Sequence, residues 1–213
     1  MVMGNLELLK KSLAVVMAGF ALWATPNVAT EDVGTAERPL AQAWVARYNG
    51  PADSHDYAHA LAVDPDGNVY VTGQSAQVGI DLDYGTIKYD GDGNQLWVAR
   101  YNGPGDVIDG AHALALDGQG NAYVAGLCCY GVGGGGDFAT IKYDPEGRQL
   151  WSYRYNGVAN AYDEARALAV DGQGNVYVSG WSEGVGTSSD YATVKYSPVE
   201  VQARFPILLK PQR

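Results

Sequence analysis

The chain has 213 residues, of which 46% are hydrophobic and 18% are charged, so it is long and apolar enough to bury a core. Its formal net charge of −10 argues against nucleic acid or an anionic membrane surface as a partner, because a surface that follows phosphate groups is basic. The 28 glycines and 15 tyrosines, beside only 3 phenylalanines and 3 methionines, favour short β-strands separated by turns.

The N-terminal segment has the features of a secretory signal peptide. Lys10 and Lys11 precede the apolar run 12–24, which is too short to span a bilayer but has the length of a signal-peptide apolar region. Ala29 offers a small residue for cleavage, so residues 1–29 are predicted to be removed and residues 30–42 to form a linker. The protein is therefore expected to be secreted or held at the cell surface, without a membrane span after cleavage. The alternative is an uncleaved N-terminal anchor.

A seven-residue segment, WVARYNG, occurs at 44–50 and again at 97–103, and a related WSYRYNG begins at Trp151. The distance from Trp44 to Trp97 is 53 residues, and the distance from Trp97 to Trp151 is 54 residues. A period of this length, made of short β-like runs, is typical of propeller blades rather than of solenoid turns. Residues 43–198 are therefore predicted to form an all-β domain of three four-stranded antiparallel blades.

Each period contains four strand-like runs, which are lettered A to D from the centre of a blade array outward. Asp-x-x-Gly turns separate strand A from B and strand C from D, and such turns suit tight hairpins. The other connections are longer and differ between units, so the variable chemistry should lie on one face, here called the long-loop face. Strand A is predicted at 59–64, 112–117 and 166–171, strand B at 68–73, 121–126 and 175–180, strand C at 85–90, 139–144 and 192–197, and strand D at the tryptophan segments.

The first tryptophan segment, at 43–48, precedes the first complete unit, and no Asp-x-x-Gly turn follows strand C of the third unit. We expect this orphan D strand to complete an A–B–C triplet, which would remove sheet edges that invite aggregation. Propellers use about four to eight blades, so three blades predict self-association, most simply a dimer with six blades. The alternatives are an open arc, in which residues 199–213 form a C-terminal tail or a replacement outer strand, and a truncated copy of a longer propeller.

The repeated unit reads D-Y-x-T-[IV]-K-Y-D-x-x-G-x-x-L-W-x-x-R-Y-N-G, followed by A-[LI]-A-V-D-x-x-G-N-x-Y-V-x-G. Over roughly residues 43–196 it resembles the SBBP β-propeller repeat of secreted bacterial proteins. The resemblance implies a propeller fold and export, and it implies no defined activity.

The long-loop face carries the candidate ligand-binding residues. Carboxylates and imidazoles lie just before or at the start of strand A, and aromatic side chains are expected on the same face. Aromatic rings above an acidic rim suit carbohydrate or peptide, so the leading hypothesis is a secreted, non-catalytic binding or scaffolding module for protein or glycan. The candidates are Asp56, Tyr57, His59, Asp109, His112, Tyr130, Tyr162 and Trp181.

Two other kinds of chemistry are weighed at the same positions. A propeller-type hydrolase or lyase would draw its acid–base residues from Asp56, His59, Asp109 and His112. Repetition in every unit favours structural roles, so no catalytic residue and no metal site are assigned, and no cofactor is predicted. A divalent cation such as calcium remains the alternative, because carboxylates and imidazoles can bind one.

The only two cysteines, Cys128 and Cys129, are adjacent in the sequence. An exported protein meets an oxidising compartment, in which disulfides persist. The pair is therefore a candidate vicinal disulfide, with an intermolecular bridge or two loop thiols as the alternatives.

We predict that the exported protein begins near Thr30, because a basic, apolar and small-residue order precedes that position. N-terminal sequencing and intact mass of the secreted product measure this directly. A soluble secreted product that still carries residues 1–24 would contradict the prediction.

Overall fold

The chain divides after Ala41 into two units, and the account below concerns the second, Gln42–Arg213. A computed structural model describes residues 39–77, 81–132 and 135–199. Within these ranges every regular element is a β-strand, and no helix there is long and apolar enough to cross a bilayer. The all-β prediction is confirmed. The strands are β1 (Asp56–Val63), β2 (Val69–Ala76), β3 (Leu82–Tyr89), β4 (Gln95–Tyr101), β5 (Gly110–Leu116), β6 (Ala122–Val132), β7 (Gly135–Tyr143), β8 (Gln149–Tyr155), β9 (Asp163–Val170), β10 (Val176–Glu183) and β11 (Ser189–Tyr196).

The described strands form three antiparallel meanders: sheet 1 (β1–β4), sheet 2 (β5–β8) and sheet 3 (β9–β11). Sheet 2 lies between the other two, and its strand β5 contacts both β1 and β9. The three sheets do not close into a ring. Two sheets therefore have the predicted four strands, whereas the third has three strands in the described part of the chain.

Two apolar cores lie between neighbouring sheets. Tyr70 and Tyr84 of sheet 1 pack with Val124 and Ile141 of sheet 2, and Tyr123 and Phe138 of sheet 2 belong to the core shared with sheet 3. Small residues on the facing strands let the sheets approach closely, since alanine adds little bulk beyond the backbone. The buried alanines in the described part of the chain are Ala76, Ala99, Ala111, Ala113, Ala122, Ala125, Ala139 and Ala165.

The Asp-x-x-Gly turns are built by the first aspartate of each turn. In the first of them, Asp64 Oδ1 accepts from the amides of Asp66 and Asn68, at 3.1 and 2.8 Å, and Asp64 Oδ2 accepts from Asn68 Nδ2 at 2.8 Å. The same arrangement recurs at the equivalent aspartates, with Arg148 in place of asparagine in one turn. The hairpin prediction is confirmed at Asp64, Asp90, Asp117, Asp144 and Asp171.

A β-bulge recurs at the same position of each innermost strand. The ladder between β1 and β2 passes over His59, that between β5 and β6 passes over His112, and that between β9 and β10 passes over Arg166. A bulge takes one side chain out of the regular alternation and re-aims it. The opposing glycine accommodates the bulged backbone, since a Cβ on Gly126 would lie 2.0 Å from the carbonyl oxygen of Gly110.

The prediction that the first tryptophan segment forms a β-strand is wrong for the single chain. Residues 39–50 form no strand, and the segment does not pair with sheet 3 of the same chain. Trp44 instead packs on sheet 1, where its Nε1 donates to Gly91 O at 3.1 Å and its ring lies 6.4 Å from that of Tyr89. Trp97 makes the equivalent contacts with sheet 2, to Pro145 O at 2.9 Å and to Tyr143 at 6.3 Å. The segment therefore occupies the place of an outer strand from a sheet that would precede sheet 1.

We predict that Gly126→Ala destabilises the protein strongly, because the added Cβ meets backbone atoms that cannot rotate away. Gly118→Ala is the matched control, since a Cβ there has no neighbour within 4 Å. Denaturant unfolding should show a loss of about 1–3 kcal/mol or more for Gly126→Ala, the range for overpacking, and a change within about 0.5 kcal/mol for Gly118→Ala. Equal effects would contradict the steric role of the bulge.

We predict that Asp171 stabilises the protein at neutral pH and loses this effect in acid. Hydrogen bonds from Asn175, Gln173 and Tyr177 lower the pKa of Asp171 to about 2, against the usual 3.8. The contribution is therefore complete above pH 3.8 and is lost as the pH falls through about 2. The difference in thermal midpoint between the parent and Asp171→Asn should shrink from pH 7 to pH 2. A constant difference over that interval would contradict the prediction.

Candidate ligand-binding site

The three bulged residues bring polar side chains together where the innermost strands of the sheets lie side by side. The rings of His59 and His112 have centroids 5.1 Å apart, and His59 Nε2 lies 3.4 Å from Gln74 Oε1. Arg166 occupies the equivalent position in sheet 3 and lies over the ring of Trp181, 4.6 Å from its centroid. The geometry thus brings two of the candidate residues, His59 and His112, into contact.

Glu164 links these groups and is buried, with 3% of its surface exposed. Its Oε1 lies 3.0 Å from His112 Nε2 and 2.5 Å from Arg166 Nη2. Its Oε2 accepts a hydrogen bond of 2.5 Å from the hydroxyl of Tyr162. A buried carboxylate is costly unless it is paired, and here three donors satisfy it. Glu164, His112, Arg166, Tyr162 and Trp181 are called the Glu164 cluster below.

The Glu164 cluster shifts the ionisation of its members. Burial lowers the pKa of His112, with smaller contributions from Arg166 and His59, while Glu164 acts in the opposite direction. Neutral imidazole is thereby favoured, and its Nε2–H can donate to the carboxylate. Burial and the hydrogen bond to Glu164 raise the pKa of Tyr162, so its phenol stays protonated. The cluster is therefore a network of satisfied donors that fixes side-chain positions.

An aromatic cleft opens between sheets 2 and 3 on the long-loop face. Tyr130 and Tyr162 form an edge-to-face pair with centroids 5.7 Å apart, and Tyr130 is half exposed. Leu127 contributes an apolar wall and Glu183 a carboxylate, and the cleft, which is wide open to solvent, has a volume of about 780 Å³. Tyr162 belongs both to the cleft and to the Glu164 cluster, which joins the two.

The aspartates before each innermost strand are engaged by backbone amides. Gly50 N donates to Asp56 Oδ2 at 2.8 Å, and Gly103 N donates to Asp109 Oδ2 at 2.5 Å. Asp109 is fully buried and also accepts from Cys129 N at 2.7 Å, and burial raises its pKa. These carboxylates hold the incoming loop against the strand. Both oxygens of Asp109 accept from amides, whereas Asp56 Oδ1 is buried without a hydrogen-bond partner among the described residues. Tyr57, on sheet 1, lies 6.0 Å from the His55 ring and outside the Glu164 cluster.

In the structure Cys128 and Cys129 form a vicinal disulfide, and both are buried. Their sulfurs and the Asp109 carboxylate lie within 4.8 Å of one another, which is a spacing that could hold a metal ion. The disulfide occupies both sulfurs, and two amides occupy the carboxylate. In this state the group lacks free ligands. The expectation of a divalent cation at the aspartates and histidines of strand A stays a prediction.

Of the eight candidate side chains, the structure brings five together at the Glu164 cluster and the cleft, namely His59, His112, Tyr130, Tyr162 and Trp181, and Glu164 was not among the candidates. A signal for Glu164 exists in the repeat alignment. The position between the loop aspartate and the bulge reads Tyr57, Gly110 and Glu164 in the three units, so the carboxylate occurs in one unit alone.

Comparisons with known proteins concern the fold. No curated protein matches the chain. A solved structure of a protein of unknown function from Bacteroides caccae aligns with a TM-score of 0.38 at 15% sequence identity. The alignment covers 57% of this chain and 38% of that chain, so the described protein spans well under half the length of its structural neighbour.

A family model described as a beta-propeller repeat, SBBP, matches the chain at residues 44–76 and 153–185. The first match runs from the tryptophan segment through β1 and β2, and the second runs from the outer strand β8 through β9 and into the loop after β10. The first match begins at Trp44 and ends with β2, and the second begins at Tyr153, two residues after Trp151, and ends two residues after β10. The SBBP beta-propeller repeat model thus matches at two places in the chain, in agreement with the repeated sheets.

Proposed function

We propose that this protein is an exported, non-catalytic binding module that takes a glycan or an extended peptide segment in the cleft between sheets 2 and 3. The observation that carries the proposal is the half-exposed ring of Tyr130, held edge-to-face against Tyr162 above an apolar wall. Ligand sites are typically lined by apolar and aromatic side chains with a few polar groups, and the lining of this open cleft fits that description.

Hydrogen bonds and ion pairs fix the position of Tyr162 in the cleft before any ligand binds. The hydroxyl of Tyr162 is held by Glu164, which His112 and Arg166 hold in turn. A ring that is fixed before the ligand arrives loses little conformational entropy on binding. The exposed face of Tyr130 offers stacking area for a sugar ring or an apolar side chain, and Glu183 offers an acceptor for hydroxyl or amide groups.

A hydrolase or lyase has less support from the geometry. Its proposed acids Asp56 and Asp109 accept hydrogen bonds from backbone amides, and Asp109 has no exposed surface. A general acid or base must reach the atom whose proton it transfers. Of the proposed acid–base residues, His59 and His112 fit such a role better than the two aspartates. The imidazole of His112 is, however, already paired with the carboxylate of Glu164.

Export is supported by the leader at 1–29, which lies outside the described residues, and by the vicinal disulfide. Disulfides persist in oxidising compartments and are rare in a reducing cytosol. These two features support the proposal that the protein acts outside the cell or at its surface.

We predict that Tyr130→Ala weakens capture of oligosaccharides or peptides on printed arrays by about tenfold or more, as loss of an aromatic anchor does. Tyr153→Ala is the matched control, because Tyr130 and Tyr153 are each 50% exposed and Tyr153 lies on the outer strand β8, away from the cleft. The thermal midpoint of each variant reports folding. Equal losses for the two variants, or binding that survives Tyr130→Ala, would exclude the cleft as the site.

A further inference from the structure

An ion pair between the outer strand and its neighbour recurs in the two four-stranded sheets. Arg100 Nη2 on β4 lies 3.2 Å from Asp83 Oδ2 on β3, and Arg154 Nη1 on β8 lies 3.2 Å from Asp137 Oδ2 on β7. Sheet 3 has the equivalent acid, Asp190 on β11, but in the part of the chain that the structure describes no outer strand beside β11 supplies an arginine. The equivalent arginine of the 44–50 segment is Arg47, which forms no ion pair with any residue in the described ranges.

An aromatic pair is likewise present in sheets 1 and 2 and absent from sheet 3 in the described part of the chain. Tyr84 packs on Tyr101 at 5.5 Å and Phe138 packs on Tyr155 at 5.3 Å, and neither Tyr84 nor Phe138 has exposed surface. The equivalent residue of sheet 3, Tyr191, is 99% exposed. Tyr48 is its missing partner by position in the repeat. In the described part of the chain, Asp190 and Tyr191 of β11 thus have neither the arginine nor the tyrosine that their equivalents contact. The 44–50 segment carries both residue types, as Arg47 and Tyr48.

The register of the complete sheets defines how the two would pair. In sheet 1 Lys88 lies opposite Trp97, Ile87 opposite Val98 and Tyr84 opposite Tyr101, and sheet 2 repeats this register. The same register applied to β11 sets Trp44 opposite Lys195, Val45 opposite Val194, Arg47 opposite Ala192 and Tyr48 opposite Tyr191.

The pairing cannot form within one chain while Trp44 keeps its place on sheet 1, because sheet 2 separates sheet 1 from sheet 3. A second copy satisfies both contacts, since Trp44 stays on its own sheet 1 while its backbone pairs with β11 of the other copy. The face of sheet 1 also favours such a neighbour. Leu61 is 68% exposed there, whereas its equivalent in sheet 2, Leu114, packs on the core.

We propose that two copies of this chain complement each other, with segment 44–50 of each copy forming the fourth strand of sheet 3 in the other. Arg47 pairs with Asp190 of the second copy, and Tyr48 covers Tyr191. The two equal contacts close the assembly, and its six sheets form one propeller ring in which every sheet has four strands and packs between two neighbours. The contacts between sheets 1 and 2 and between sheets 2 and 3 are the template for the new interface.

Light scattering coupled to size exclusion, over a dilution series, tests the assembly in the full chain. The parent should be a dimer, and Arg47→Asp and Asp190→Arg should each raise the dissociation constant about tenfold or more, the effect of leaving one partner of a charge pair unmatched. The double variant Arg47→Asp/Asp190→Arg restores the pair with reversed sign and should recover dimerisation. Asp66→Arg, in an exposed tight turn, controls for the change in net charge. A monomeric parent, or a dimer indifferent to Asp190→Arg, would overturn the proposal.

Cysteine crosslinking identifies what covers β11 and does not depend on the charge variants. Val45→Cys and Val194→Cys proteins, mixed and oxidised, should give a covalent dimer on non-reducing gels, whereas each variant alone should give little. The proposal fails if the mixture yields no covalent dimer. It also fails if a chain carrying both substitutions gives an intramolecular bridge alone, because residues 44–50 would then pair with β11 of the same chain. If a chain ending at Val199 dimerises while the full chain is monomeric, residues 200–213 cover the edge and the proposal is wrong.

Discussion

The packing of each tryptophan segment onto the next sheet is the interaction on which the rest of this structure depends. Trp44, Trp97 and Trp151 lie 6.4, 6.3 and 6.5 Å from the tyrosines Tyr89, Tyr143 and Tyr196, so one contact is repeated three times. Each contact joins the end of one unit to the body of the next. Trp97 and Trp151 each lie in the outer strand of one sheet and pack against an apolar core, so each fixes the position of the next sheet relative to its own.

The repeated bulge shows how a symmetric backbone acquires a site that is not symmetric. The same backbone irregularity re-aims His59, His112 and Arg166, yet the residue two positions earlier differs in every unit. In sheet 3 that residue is Glu164, and its carboxylate gathers His112 from sheet 2 and Tyr162 from the adjoining loop. The Glu164 cluster thus arises at a position where the three units differ in sequence, while the residues that the units share form the repeated backbone.

The sequence allowed the period, the tight turns and the order of strands to be predicted, because each rests on short-range chemistry. Asp64 and its equivalents accept hydrogen bonds from amides two and four residues away, so residues close together in the sequence determine the turn. The Glu164 cluster could not be predicted in this way, since its members come from different sheets and meet through bulges that no local pattern announces. The place of Trp44 was also missed: strand propensity alone does not reveal that no strand lies beside it in the described chain.

Contacts between nearest neighbours have a consequence for how stability is distributed. Sheet 2 shares a core with each of its neighbours, whereas sheets 1 and 3 each share one such core. In arrays of this kind the free energy of unfolding is close to a sum of unit and interface contributions. The middle sheet is therefore the most protected part of a single chain, and unfolding should begin in sheet 1 or sheet 3. The stability of these two outer sheets then sets the kinetic lifetime of the array.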